Sequence, residues 1–290
     1  MGMIDRILIK IRSMVDGLLV TRGVEVPDSS SSNQSDRVDI GFVDSMNDQL
    51  GGWFDSESGA LFKDFVIGSG DYVLDVGCGN GRYLFFCAEQ GAHVSWVDIE
   101  QHKVESMKEA LKGSSAASLS GYVSDCQPMP FDEPFATKVI ASEVLEHVDN
   151  PAGFLSELYR IGLPGATYLL TVPHQKSEEA QKSFAPKEYF EKPNHINIFS
   201  EIEFETLIRE AGFETVSQQN TGFYQAMWWM LIWISPGEGL SAERIQNSTL
   251  MKSWITTWTE LLKNPRGAQV KQILDNVFPK RRVVVARKPL

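Results

Sequence analysis

The chain is short of cysteine, of basic charge and of long apolar runs. Its three cysteines, Cys78, Cys87 and Cys126, form no CxxC pair. An odd count cannot be paired completely within one chain, and the spacing holds no zinc framework, so reduced thiols are expected. Lys and Arg number 27 against 38 Asp and Glu, a net charge of −11. That balance opposes an undirected grip on phosphates, and no nucleic-acid partner is expected. No stretch reaches the roughly 18 apolar residues of a membrane-spanning helix. The opening residues show no apolar run ahead of a small-residue cleavage site, which gives a cytoplasmic expectation. None of the five histidines stands at familiar metal-ligand spacing, so no metal ion is expected.

What is present divides the chain into three. In residues 1–50, Ile4, Ile7, Leu8, Ile11 and Val15 recur at helical spacing, followed by the polar run 28–36. This reads as an amphipathic helix over 3–20, packed on the body or lying on a membrane surface, and then a flexible linker. Residues 51–222 and 279–290 alternate short apolar runs with helical patterns. Strands are expected at 72–76, 93–97, 119–123, 136–141, 166–172, from 213 and at 282–286. Helices are expected at 101–111 and 151–160, with a capping box at Ser200 and Glu203. That rhythm predicts an α/β fold: a doubly wound, mostly parallel seven-stranded sheet covered on both faces. Residues 223–278 read as a helical insertion holding five of the seven tryptophans. Its helices form the wall or lid of an apolar pocket, extra core or a dimer face, or a membrane-dipping surface. The last reading draws on the basic charge of residues 241–290.

The sharpest local signal is Asp75-Val76-Gly77-Cys78-Gly79-Asn80-Gly81, directly after a predicted strand. Glycines there let the backbone turn tightly and come close to a ligand at a helix N-terminus. The spacing is GxGxG. Arg82 stands where a dinucleotide fingerprint needs its third glycine, and no Lys-Ser or Lys-Thr follows for a phosphate-binding loop. Asp98, at the end of the second predicted strand, is placed to accept hydrogen bonds from a ribose diol. Asp125, after the third, is placed to meet an adenine amino group.

These residues resemble the motifs of class I S-adenosylmethionine-dependent methyltransferases, specifically their small-molecule, quinone-biosynthesis-like branch. Leu74–Gly81 is similar to the first motif, Val97-Asp98-Ile99 to the second and Asp125-Cys126 to the third. Ser142-Glu143-Val144-Leu145-Glu146-His147 resembles the motif after the fourth strand. Asn194–Ser200 and Glu210–Phe213 resemble downstream segments of the same branch. The resemblance implies a Rossmann-like methyltransferase fold and S-adenosyl-L-methionine as cofactor. Its cofactor-binding residues would be Asp75, Gly77, Cys78, Gly79, Gly81, Asp98, Ile99, Asp125, Cys126 and Ser142.

Methyl transfer from a sulfonium needs a lone pair in line with the methyl carbon, and a base only where the acceptor is protonated. His147, His174 and Glu143 are the catalytic candidates; Glu143 and His147 share a face if 143–147 is a helical turn. His195, Phe223, Trp228 and Trp229 are candidates for substrate contact. The expected reaction is methylation of a hydrophobic small molecule, most directly on oxygen, with nitrogen or carbon as the alternatives. A catalytically silent methyltransferase-like scaffold is the non-enzymatic one. Peripheral membrane contact and a homodimer remain open.

Overall fold

In four strands of this chain, consecutive apolar residues serve opposite cores. Val73 and Leu74, Val139 and Ile140, Leu169 and Leu170, and Val283 and Val284 each divide between two hydrophobic clusters. A strand covered on both faces must be apolar at every position, whereas a half-exposed strand alternates.

The computed structural model describes residues 39–237 and 242–290. In chain order the elements are α1 (Ile40–Leu50), β1 (Trp53–Asp55), β2 (Ala60–Phe62), β3 (Phe65–Val66), β4 (Tyr72–Val76), α2 (Arg82–Glu89) and β5 (His93–Asp98). There follow α3 (Gln101–Ala110), β6 (Ser118–Val123), β7 (Ala136–Ser142), α4 (Pro151–Ile161), β8 (Gly162–Pro173) and α5 (Gln175–Gln181). Last come α6 (Glu201–Glu210), β9 (Glu214–Thr221), α7 (Phe223–Ile234), α8 (Ala242–Asn247), α9 (Thr249–Lys263), α10 (Gly267–Val277) and β10 (Arg281–Arg287). Short 3-10 turns lie at Leu145–His147 and Lys187–Phe190. The helix expected over 3–20 and the linker over 28–36 lie outside the described residues.

The main sheet runs β6-β5-β4-β7-β8-β10-β9. Its first five strands are parallel, and β10 lies antiparallel between β8 and β9. The seven-stranded, mostly parallel expectation holds. The antiparallel β10 places the last strand between two earlier ones. The chain winds outward from β4 in both directions, so the carboxyl ends of β4 and β7 flank a crevice. Helix α6 opens with the reciprocal capping box of Ser200 and Glu203. A separate three-stranded sheet, β1–β3, has no counterpart in the sequence reading; Leu61, Phe62 and Phe65 bury it against the main sheet.

Helices α7, α9 and α10 form a cap with α1. Its core holds Val43, Tyr224, Trp228, Ile232, Met251, Ile255 and Trp258. Trp258 donates its indole N–H to Asn47 Oδ1 at 3.3 Å, and Trp254 donates to the Tyr224 carbonyl at 3.3 Å. Both indoles thus bury their rings and still satisfy their donors. Among the described residues no helix is long and apolar enough to cross a membrane.

Trp258→Ala should cost about 3–5 kcal/mol, the range for deleting a large buried aromatic side chain. Urea denaturation checks this, with the exposed Ile202→Ala expected to change little.

Candidate functional site

The glycine turn is built by three left-handed residues. Gly77, Gly79 and Gly81 have φ of +70°, +52° and +73°, conformations that side-chain-bearing residues adopt at a cost. The amides of Gly77 and Cys78 both donate to the Val97 carbonyl, at 2.8 and 3.2 Å, which ties the turn to β5. A Cβ at Gly77 would stand 2.7 Å from Val144 Cγ2, and one at Gly81 would collide with Met107. At Gly79 it would meet only the Gly77 carbonyl oxygen, at 3.9 Å. The outer glycines therefore face protein, and the middle one faces open space.

Asp98 turns toward this loop. Its Oδ2 accepts from the Gly79 amide at 3.0 Å and its Oδ1 from the Glu100 amide at 3.0 Å. Only 6% of the residue is exposed. A carboxylate offers about four lone-pair sites, so two backbone donors leave acceptor capacity on both oxygens. Next to it Ile99 is 68% exposed, an apolar side chain held out beside a polar loop. Asp125 is exposed, with Oδ1 accepting from the Gln127 amide at 3.1 Å. Asp75 is buried, and among the described residues its Oδ2 has no hydrogen-bond partner. Burial, and then the charge of Asp98, push its carboxyl up to about 8, so at neutral pH it is a proton donor. Cys126 is pushed up to about 12 by burial, and Cys78 is raised for the same reason. Neither supplies a thiolate.

Across the crevice, Ser142 Oγ bridges Tyr83 Oη at 3.0 Å and Thr171 Oγ1 at 2.9 Å. Glu143 and His147 do not share a helical face. Glu143 has φ +56° and lies outside the 3-10 turn, where its Oε1 accepts from Thr171 Oγ1 at 3.1 Å. His147 Nδ1 lies 3.1 Å from the Pro193 carbonyl, an acceptor, so the proton sits on Nδ1 and the lone pair on Nε2. Burial, then His195, hold this imidazole below its ordinary pKa. Its nearest carboxylate is Glu146, which the sequence reading passed over. Glu146 is 1% exposed and without a hydrogen bond at either oxygen among the described residues, with His147 Nε2 3.7 Å away. Burial, then Glu143, push its carboxyl well above the usual range.

His195 arrives from the 194–199 segment. Asn197 fastens that segment by donating to the carbonyls of Leu145 and Val148, at 3.2 and 2.8 Å. The two imidazoles stand edge to face at 5.1 Å. Glu146, His147 and His195 each offer an atom within 4.8 Å of the others, close enough to share a cation. Spacing along the chain gave no such set, because His195 is brought in by the fold. Behind it, His195 Nδ1 lies 2.8 Å from Glu178 Oε2, and Lys280 Nζ donates to Glu178 Oε1 at 2.9 Å. These two partners outweigh burial and hold the Glu178 carboxyl down at about 2.

His174 is differently placed. Its Nδ1 accepts from the Lys176 amide at 3.1 Å as the N-cap of α5, and its Nε2 lies 2.9 Å from Glu201 Oε1. With both nitrogens committed and 4% exposed, it offers nothing to a ligand. In the insertion, Trp228 is buried in the cap core and Phe223 packs against Trp254 and Trp258. Trp229 and Trp233 instead meet Tyr189, at 6.1 and 5.5 Å, and Tyr189 meets His195 at 4.4 Å. An aromatic strip thus runs from the cap to the histidine pair.

Two outcomes test this geometry. Gly77→Ala combines a left-handed φ with the Val144 contact and should lose about 2 kcal/mol in chemical denaturation. Gly70→Ala, where a Cβ meets nothing within 4 Å, serves as the control. Because the folded Glu178 pKa is depressed, its stabilisation is complete above its unfolded value of about 4.5 and is lost as pH falls toward 2. Glu178→Gln should therefore lack that part of the acid-side slope in melting temperature.

Residues 55–218, more than half of the chain, match the family described as a methyltransferase domain. The ubiquinone biosynthesis O-methyltransferase of Xylella fastidiosa (strain M23) is 35% identical over 102 residues, which cover 33% of this chain and 39% of that protein. The match thus spans about two fifths of that relative's length. The corresponding protein of Methylococcus capsulatus is 22% identical over 212 residues, covering 65% of this chain and 87% of that protein. Among solved structures, the [4+2]-cyclase SpnF has a TM-score of 0.55 at 16% identity, covering 96% of this chain and 94% of its own. A putative sarcosine dimethylglycine methyltransferase from Galdieria sulphuraria has a TM-score of 0.53 at 14% identity, covering 86% and 85%. These likenesses show the fold; the domain match shows the family. The chain belongs to the class I S-adenosylmethionine-dependent methyltransferases.

Proposed function

We propose that the protein methylates a hydrophobic small molecule on oxygen, using S-adenosyl-L-methionine. The observation that carries this reading is the Asp98 carboxylate closing on the Gly79 amide beside open space. A nucleoside needs that combination: a diol acceptor next to backbone that a ligand can approach. In this reading Asp98 holds the ribose, Ile99 lies against the adenine, and Asp125 with Cys126 borders its amino edge. Gly77, Cys78, Gly79 and Gly81 supply the cradle, with Asp75 and Ser142 at the end of the crevice. The exposed Ile99 fits a ligand with one apolar face.

When bound, the cofactor supplies a methyl group on a positively charged sulfur. The protein's own work is then to orient the acceptor, exclude water and remove a proton. His147 suits the last task. Its Nε2 carries the lone pair, its depressed pKa keeps it neutral near pH 7, and Pro193 holds its tautomer. The strip from His195 through Tyr189 to Trp229 and Trp233 supports an apolar acceptor, with α7 as one wall of its pocket. The similarity to ubiquinone O-methyltransferases favours oxygen over nitrogen or carbon as the accepting atom.

Isothermal titration with S-adenosylmethionine tests the reading. The intact chain should bind, and Asp98→Ala should weaken binding about 10- to 100-fold, the value of one or two lost hydrogen bonds to a charged group. A folded chain that binds no S-adenosylmethionine overturns it.

A further inference from the structure

Beside the glycine turn lies a small recess open to solvent, lined among others by Asn47, Asp48, Trp53, Gln225, Lys271 and Arg281. Its position follows from two contacts. Asp48 pairs with Arg82, the first residue of the helix that leaves the glycine turn. Arg281, at the start of β10, faces Glu143, one residue beyond β7. The recess therefore adjoins the end of the crevice between β4 and β7. Its enclosed room is that of about one water molecule and the rest is open to solvent, so it admits only a single small polar group at the end of a ligand.

Several polar groups around this recess are already paired. Lys271 is buried and paired with Asp275, which also accepts from the amides of Gly222 and Phe223 at 3.1 and 2.8 Å. Asp48 is taken by Arg82. Asn47 donates to Gln225 at 3.2 Å and accepts from Trp258. The Arg281 guanidinium makes no hydrogen bond among the described residues, and its Nε is buried without a partner. Its closest carboxylate oxygen, on Glu143, is 3.9 Å away, too far for a hydrogen bond, and that oxygen already accepts from Thr171. The guanidinium lies over the Trp53 ring at 5.9 Å, and its side chain is 23% exposed. An arginine brings five N–H donors in a planar fork that matches a carboxylate at two points. Leaving its buried Nε unsatisfied is costly, and a ligand carboxylate would relieve that cost.

The geometry points to Arg281 as a carboxylate-binding residue at this recess. Two sources have that chemistry: the amino-acid end of the cofactor, or an acidic group on the acceptor. The first rests on the cofactor reading above; the second does not. Both place the same fork against the same planar anion.

Binding measurements separate the two sources without any turnover. S-adenosylhomocysteine carries the carboxylate, and 5′-methylthioadenosine is the same nucleoside without it. If Arg281 holds the cofactor end, Arg281→Gln weakens S-adenosylhomocysteine at least tenfold and leaves methylthioadenosine within twofold. If it holds the acceptor, S-adenosylhomocysteine is unmoved, while benzoate binding falls at least tenfold and phenol binding does not. Arg281→Lys, which keeps the cation without the fork, is the second variant should Arg281→Gln fail to fold, and it should show the same pattern at smaller amplitude. A wild-type chain that binds neither nucleoside overturns the cofactor reading and leaves the benzoate arm to decide on Arg281. Variants that bind S-adenosylhomocysteine and benzoate within twofold of wild type overturn the assignment of Arg281 itself.

Discussion

The structure around the crevice depends on holding residues 77–81 in left-handed backbone while their amides stay oriented. Three constraints do this together. The Val97 carbonyl collects two consecutive amides, Val144 closes over Gly77, and Met107 closes behind Gly81. Each comes from a different element, on β5, after β7 and on α3, so the turn is fixed only when the parallel sheet is assembled around it. Asp98 completes the arrangement from β5 by accepting the Gly79 amide. The doubly wound topology has the same consequence at larger scale. Strands leave β4 in both directions, and the loops after β4 and β7 meet where Val144 touches Gly77.

Buried acids near the crevice are managed in two opposite ways. Glu178 is surrounded by Lys280 and His195 and stays ionised far into the acid range. Asp75 and Glu146 receive no hydrogen bond among the described residues, and burial raises both. The first carboxyl is a fixed negative charge beside an imidazole; burial lifts Asp75 to about 8 and shifts Glu146 in the same direction. Environment rather than residue type sets the difference. An acidic chain can thus hold several carboxyls together without accumulating their charge.

Much of this was legible in the sequence, and what was not has identifiable causes. The strands at 72–76, 93–97 and 136–141 stood out because burial on both faces favours short, mostly apolar runs. The glycine turn stood out because its residue type answers to a backbone conformation. The β1–β3 sheet did not, since strands of two or three residues are too short to show a period. The pairing of Glu143 with His147 assumed helical spacing, and the left-handed Glu143 breaks it. Glu146 and Glu178 could not be singled out because their interest lies in burial and, for Glu178, in partners 17 and 102 residues away. His174 looked well placed at the end of β8, yet the same position makes it the N-cap of the next helix.

The cap explains why α7 is apolar all round. Trp228 and Ile232 on one side fill the cap core, while Trp229 and Trp233 on the other reach Tyr189 beside His195. A helix with one buried stripe would satisfy only the first demand. The cap is also joined to the glycine turn through a short chain of contacts. Trp258 bonds Asn47 on α1, and Asp48, the next residue, pairs with Arg82 at the start of α2. Movement of the cap would therefore be felt at the turn. The sheet holds the glycines and acids, the cap holds the aromatic strip, and Arg281 stands at the joint between them, its guanidinium without a hydrogen bond among the described residues. Substitutions in the cap can thus reshape the aromatic wall without disturbing the residues that fix the turn, provided the bond from Trp258 to Asn47 is kept.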